Sequence, residues 1–149
     1  MKSTGSRTFN APPHLVWDAL TNPALILRSI PGAKSGRVLD GRRCRVIAEI
    51  PVALGLVHVV LYLAFVDGRD EESAQLLANC SSSGAVLSIE TDFSFDSTDV
   101  GGTLTRWTTD ISVNGPVGAI AKRVLSSLVN DQISNTLTAL ERLLLPVGA

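Results

Sequence analysis

"GAVLSIETDFSFDS", Gly84–Ser97, alternates apolar and polar side chains with the two-residue period of a strand that is dry on one face and wet on the other. Leu87, Ile89, Phe93 and Phe95 fall on the dry face, and Ser88, Glu90, Asp92, Ser94 and Asp96 on the wet one. Two other stretches repeat the pattern. "RRCRVIAEI", Arg42–Ile50, sets Cys44, Val46, Ala48 and Ile50 against Arg43, Arg45 and Glu49. "TLTRWTTDISV", Thr103–Val113, sets Thr105, Trp107, Thr109, Ile111 and Val113 against Leu104, Arg106, Thr108, Asp110 and Ser112. Between them "VALGLVHVVLYLAFV", Val52–Val66, is apolar on both faces and bounded by Pro51 and Asp67-Gly68. It is shorter than the roughly 20 residues a helix needs to cross a bilayer, and its Val, Leu, Tyr and Phe favour a long strand. Turn pairs at Asp40-Gly41, Asp67-Gly68, Ser83-Gly84 and Gly101-Gly102 separate the runs, so an antiparallel meander is expected.

Helical signals stand at both ends of the meander. In "APPHLVWDALTNPAL", Ala11–Leu25, Pro13 suits a first helical position, and Asn22 can cap a second short helix that opens on Pro23. Val16, Trp17 and Leu20 share a face of the first helix, and Leu25, Ile26 and Ile30 a face of the second. Pro31 and Gly32 then stop the helix and turn the chain into a strand. From Gly118 the period becomes 3.6, with Val117, Ile120, Val124, Leu128, Ile133, Leu137, Leu140 and Leu144 tracing one apolar stripe. An α+β architecture follows: a curved antiparallel sheet whose dry face is covered by the long C-terminal helix, with the two short helices closing one end.

With 149 residues and neither repeat nor linker, the chain reads as a single domain over residues 1–149. A net charge of −1 without a basic stripe argues against nucleic acid as a partner. Cys44 and Cys80, the only cysteines, lie in no CxxC or Cys/His cluster, so two buried, reduced thiols are expected, and neither a metal nor another cofactor. Met1–Asn10 lacks the basic start and apolar run of a secretory signal, which points to the cytoplasm. The dry face carries no carboxylate or histidine, and general acid–base or nucleophilic catalysis needs a titratable group or a base within reach. His14 and His58 are expected at the surface or at an interface. The outward face of the long apolar strand carries His58, Val60, Tyr62, Ala64 and Val66 where charges should alternate, and a homodimer is the expectation there.

"FNAPPHLVWDALTNP" at Phe9–Pro23, "IPG" at Ile30–Gly32, "GGTLTRW" at Gly101–Trp107 and "NGPVG" at Asn114–Gly118 together resemble the CoxG family, named for the G subunit of carbon monoxide dehydrogenase. That family belongs to the SRPBCC superfamily of START-like, helix-grip domains. The resemblance implies a seven-stranded sheet wrapped around the C-terminal helix, with a cavity between them for an apolar ligand. It also implies an accessory role beside a molybdenum-containing, carbon monoxide dehydrogenase-like oxidoreductase, through membrane recruitment or quinone handling. Asn22 stands where the family commonly has Asp, a change between two capping residues. The sequence stops at Ala149, soon after the long helix, without the extra C-terminal segment through which some relatives attach to membrane, so cavity binding is expected ahead of membrane recruitment, and any membrane association not through a transmembrane segment.

On this reading the ligand is a hydrophobic small molecule, a quinone or a lipid-like compound, held without catalysis. Its expected contacts are Val46, Ala48, Val59, Leu61, Leu63, Leu76, Leu87, Ile89, Phe93, Trp107, Thr109 and Ile111 on the dry face, and Ile120, Val124 and Leu128 on the long helix. Leu27 and Ile30 complete the set, with "IPG" at the rim, where a turn could admit the ligand. The alternative is an enzyme like the polyketide cyclases and dehydrases, acting on an apolar substrate in the same cavity with Thr105, Thr109 and ordered water.

Overall fold

Among the described residues, seven strands hydrogen-bond into one antiparallel sheet: β1 (Lys2–Phe9), β2 (Ala33–Asp40), β3 (Arg43–Val52), β4 (Gly55–Asp67), β5 (Ser73–Ser82), β6 (Ala85–Ser97) and β7 (Thr103–Asn114). Their spatial order is β1-β7-β6-β5-β4-β3-β2, a meander from β2 to β7 that β1 joins beside β7. Two short helices, α1 (Pro13–Leu20) and α2 (Pro23–Ser29), follow β1, and a long helix, α3 (Ala121–Leu144), follows β7. This computed structural model describes residues 2–52, 55–67, 72–82, 85–114 and 121–144. Of the expected turn residues, Gly68, Ser83 and Gly84 lie outside the described residues, as do Val117 and Ile120 of the helical stripe.

The alternation read in the sequence places the core. Along β7, Thr103, Thr105, Trp107, Thr109 and Ile111 are buried while Arg106, Thr108 and Ser112 are exposed, and β6 buries Thr91, Phe93 and Phe95 against exposed Asp92, Ser94 and Asp96. Register carries the dry face across strands in rows: Cys44, Leu63, Ala78, Ile89 and Ile111 stand side by side on five successive strands. Cys44 on β3 and Cys80 on β5 are both free thiols, and β4 runs between them.

The short helices begin where their caps require. Pro13 opens α1, and the Asn22 Oδ1 accepts from the backbone N–H of Ala24 at 3.0 Å and of Leu25 at 3.4 Å, satisfying two otherwise orphaned donors of α2. Ile30, before Pro31, leaves the helix in an extended conformation. Gly32 then turns at a φ of +81° and its carbonyl accepts from the Glu49 N–H at 2.9 Å, which ties the "IPG" turn to β3.

Three polar contacts, made by two residues of the helix, fix α3 on the dry face. Arg7 of β1 pairs with Glu141 at 2.6 Å, and the other carboxylate oxygen of Glu141 accepts from the Asn10 N–H at 2.9 Å. About three turns earlier on α3, Asn130 accepts from the indole N–H of Trp107 at 3.1 Å. The helix is thereby held along β1 and β7, and space is left between its other flank and the middle strands.

Candidate functional site

That space is a pocket of about 460 Å³. Its sheet wall is built by Ile50 of β3, Val57, Val59, Leu61, Leu63 and Phe65 of β4, Leu76, Ala78 and Cys80 of β5, and Leu87, Ile89, Thr91 and Phe93 of β6. The opposite wall is α3, through Leu125, Leu128, Val129, Gln132, Ile133, Thr136 and Leu137. Leu20 of α1, Ile26 of α2 and Ile30 close one end. Of the strands, β4 contributes the most lining residues, because its inward residues are Val, Leu and Phe at every second position.

Nine of the expected contacts meet here: Ile30, Val59, Leu61, Leu63, Leu76, Leu87, Ile89, Phe93 and Leu128. Six others lie elsewhere, each for a packing reason. Trp107 is buried, but its ring lies over Gly5 of β1, so close that a Cβ there would stand 2.2 Å from it. Leu27 likewise packs onto Gly36 of β2, filling the notch that the missing side chain leaves. Val46 and Ala48 are fully buried on β3, the strand that α2 packs against, and do not line the pocket. Thr109 is fully buried with its hydroxyl 3.3 Å from that of Thr91, and Ile111, two residues on along the same face of β7, is buried as well. Ile120 and the side chain of Val124 fall outside what the structure describes.

Leu125, Val129, Gln132 and Thr136 line the pocket without having been expected there. They flank the stripe that runs through Val124, Leu128, Ile133 and Leu137, and a wider apolar arc, as expected for a helix that covers a sheet, would have included two of them. Gln132 and Thr136 carry no hydrophobic signal at all.

Electrostatically the pocket is neutral. None of its described lining residues is Asp, Glu, His, Lys or Arg. The titratable group among its described lining residues is Cys80, whose thiol pKa burial raises; the same cause pushes the Cys44 thiol up to about 11. Both therefore stay protonated at neutral pH and are poor nucleophiles. His14 and His58 are exposed, with the His58 Nδ1 3.6 Å from Glu49. Thr105, one of the hydroxyls on which a cyclase-like reaction was expected to depend, is fully buried outside the pocket, and so is Thr109. Among the described residues no cluster of His, Cys, Asp and Glu is placed to hold a metal ion, and no helix is long and apolar enough to cross a membrane.

The sequence profile of CoxG, the G subunit of carbon monoxide dehydrogenase, matches residues 5–144. The chain belongs to the CoxG family. No curated protein is similar enough in sequence to be counted a relative. Among solved structures, a conserved protein from Geobacillus kaustophilus superposes with a TM-score of 0.82 at 20% identity, covering 95% of this chain and 93% of that one. A START superfamily protein from Mycobacterium smegmatis gives 0.69 at 16% identity over 94% of each chain. An aromatase/cyclase from a Streptomyces species gives 0.70 at 14% identity, over 95% of this chain and 91% of its own. At these identities the likeness establishes a shared fold: the CoxG chain is a START-like helix-grip domain, its sheet curved around the C-terminal helix.

Proposed function

We propose that this CoxG-family protein is a non-catalytic binding protein that shelters a hydrophobic small molecule, a quinone or a lipid-like compound, in the pocket between sheet and α3, as an accessory to a carbon monoxide dehydrogenase-like molybdenum oxidoreductase. The observation that carries the reading is the lining: apart from Cys80, Thr91, Gln132 and Thr136, its described residues are all aliphatic or aromatic. Protein interiors are otherwise close-packed, with few voids larger than a water molecule. An apolar space of about 460 Å³ falls in the size range of small-molecule sites, and an apolar guest would remove its walls from water. The accessory role rests on the family alone. The absence of an acid or base among the described lining residues supports holding over turnover. In this reading the protein works in the cytoplasm and meets the membrane, if at all, at its surface.

The test is native mass spectrometry and organic extraction of protein purified from its own host, with saturable binding of the fluorescent apolar probe N-phenylnaphthylamine measured in parallel. Ala78 sits in the sheet wall between Leu63 and Ile89, and Ala78→Phe would push a ring into the pocket. A recurrent apolar compound, with probe binding lost in Ala78→Phe while circular dichroism stays native, is the expected result. Probe binding that is unsaturable, or that survives Ala78→Phe, would overturn it.

A further inference from the structure

Gln132 and Thr136 lie one turn apart on α3, so their side chains share a face, and both line the pocket. Both are half-buried, and neither side chain hydrogen-bonds another described residue. On the facing sheet wall Thr91, 1% exposed, shares a single hydrogen bond with Thr109. Two hydroxyls hold two protons and use one between them. When Thr109 donates, the proton of Thr91 is available to an acceptor in the pocket; when Thr91 donates, its remaining lone pair is available to a donor. The Gln132 carboxamide likewise offers both a carbonyl oxygen and an NH₂ group.

These groups give an apolar pocket neutral hydrogen-bonding capacity without any charge. A carboxylate or ammonium entering it would leave water with no described counter-ion, a large penalty. A carbonyl or hydroxyl would meet partners able to match it in either sense. We infer that the pocket recognises apolar molecules bearing a neutral oxygen group, carbonyl or hydroxyl, through Gln132 and Thr136 on α3 with Thr91 across from them, and rejects charged carboxylate and ammonium groups. This inference rests on the ligand-binding reading above and adds the chemical class of the ligand to it.

The matched series diphenylmethane, benzophenone and benzhydrol changes one CH₂ to C=O or CHOH at nearly constant shape, and diphenylacetate adds a charge. Each is titrated against bound N-phenylnaphthylamine in the wild type, in Gln132→Leu and in Thr136→Val, the last nearly isosteric and safe for the fold. The ratio of benzophenone to diphenylmethane affinity should fall roughly three- to tenfold in Gln132→Leu, the worth of one net hydrogen bond, and by less in Thr136→Val. Diphenylmethane affinity itself should hold or rise. Diphenylacetate should displace the probe least. An affinity ratio unchanged in both variants, or diphenylacetate binding as tightly as benzophenone, would overturn the inference while leaving the apolar pocket in place. Failure of the probe to bind wild-type protein saturably would defeat the ligand-binding reading itself, and this inference with it.

Discussion

The indole N–H of Trp107 donates to the side-chain oxygen of Asn130 across 3.1 Å, joining the last strand of the sheet to the helix laid over it. The ring lies on the bare backbone of Gly5 and beside Phe93, whose centroid is 6.5 Å away. Trp107 is therefore a clasp between β1, β7 and α3, one residue removed from the pocket that Phe93 lines. Trp107→Phe should cost about 1–3 kcal/mol in chemical denaturation, from lost volume and an unpaired Asn130 amide, yet leave N-phenylnaphthylamine affinity within about twofold. Gly5→Ala should destabilise by a similar amount through overpacking. Loss of probe binding in a folded Trp107→Phe protein would return this residue to the pocket wall.

Thr105 gives a change of the opposite sign. Its hydroxyl is fully buried and has no hydrogen-bond partner among the described residues. A buried hydroxyl left unpaired is a standing cost, so Thr105→Val, nearly equal in shape, should be neutral or should stabilise by about 1 kcal/mol. A loss of more than about 1 kcal/mol in urea titration would show that this hydroxyl has a partner in solution.

The two thiols should be silent in the native state. Both are buried, and strands two places apart stand about 10 Å from each other, too far for a disulfide. Alkylation under denaturing, non-reducing conditions should label both cysteines, while native protein should react slowly. Because burial raises the Cys44 pKa from 9.0 to about 11, the unfolded chain loses this proton first as pH rises. The contribution of Cys44 should thus lower stability progressively between about pH 9 and 11, and Cys44→Ala should flatten that part of the pH profile. A single bridged species without labelling would contradict the strand order.

The outer face of β4 bears on assembly. Tyr62 is 47% and Val66 40% exposed there, and the Arg45 guanidinium covers part of Tyr62, 5.8 Å from the ring centre. A second copy of the chain on this stripe is the expectation. Light scattering at micromolar concentration should give twice the chain mass, and Tyr62→Glu should shift it toward the single-chain value. A wild-type monomer at high concentration would end the idea.

Much of this was legible in the chain itself. Strand periodicity assigned Phe93, Leu63 and Ile89 to the dry face, Asn22 and Pro23 marked the start of α2, and the stripe through Leu128, Ile133, Leu137 and Leu140 marked α3, because backbone geometry fixes which side chains share a face whatever covers them. What covers them is decided by residues distant in sequence. Val46 and Ala48 read the same as Leu61 and Val59, yet the first pair is closed off on the strand that α2 packs against and open space lies on the second. Trp107 and Leu27 were drawn out of the pocket by notches at Gly5 and Gly36, on strands far away in the chain or across a turn. Gln132 and Thr136 gave no sign in an apolar stripe, since a polar residue beside it is ordinarily solvated. Local periodicity sets the faces of each element, whereas volume, and therefore the position and polarity of the pocket, exists only between elements once they have packed.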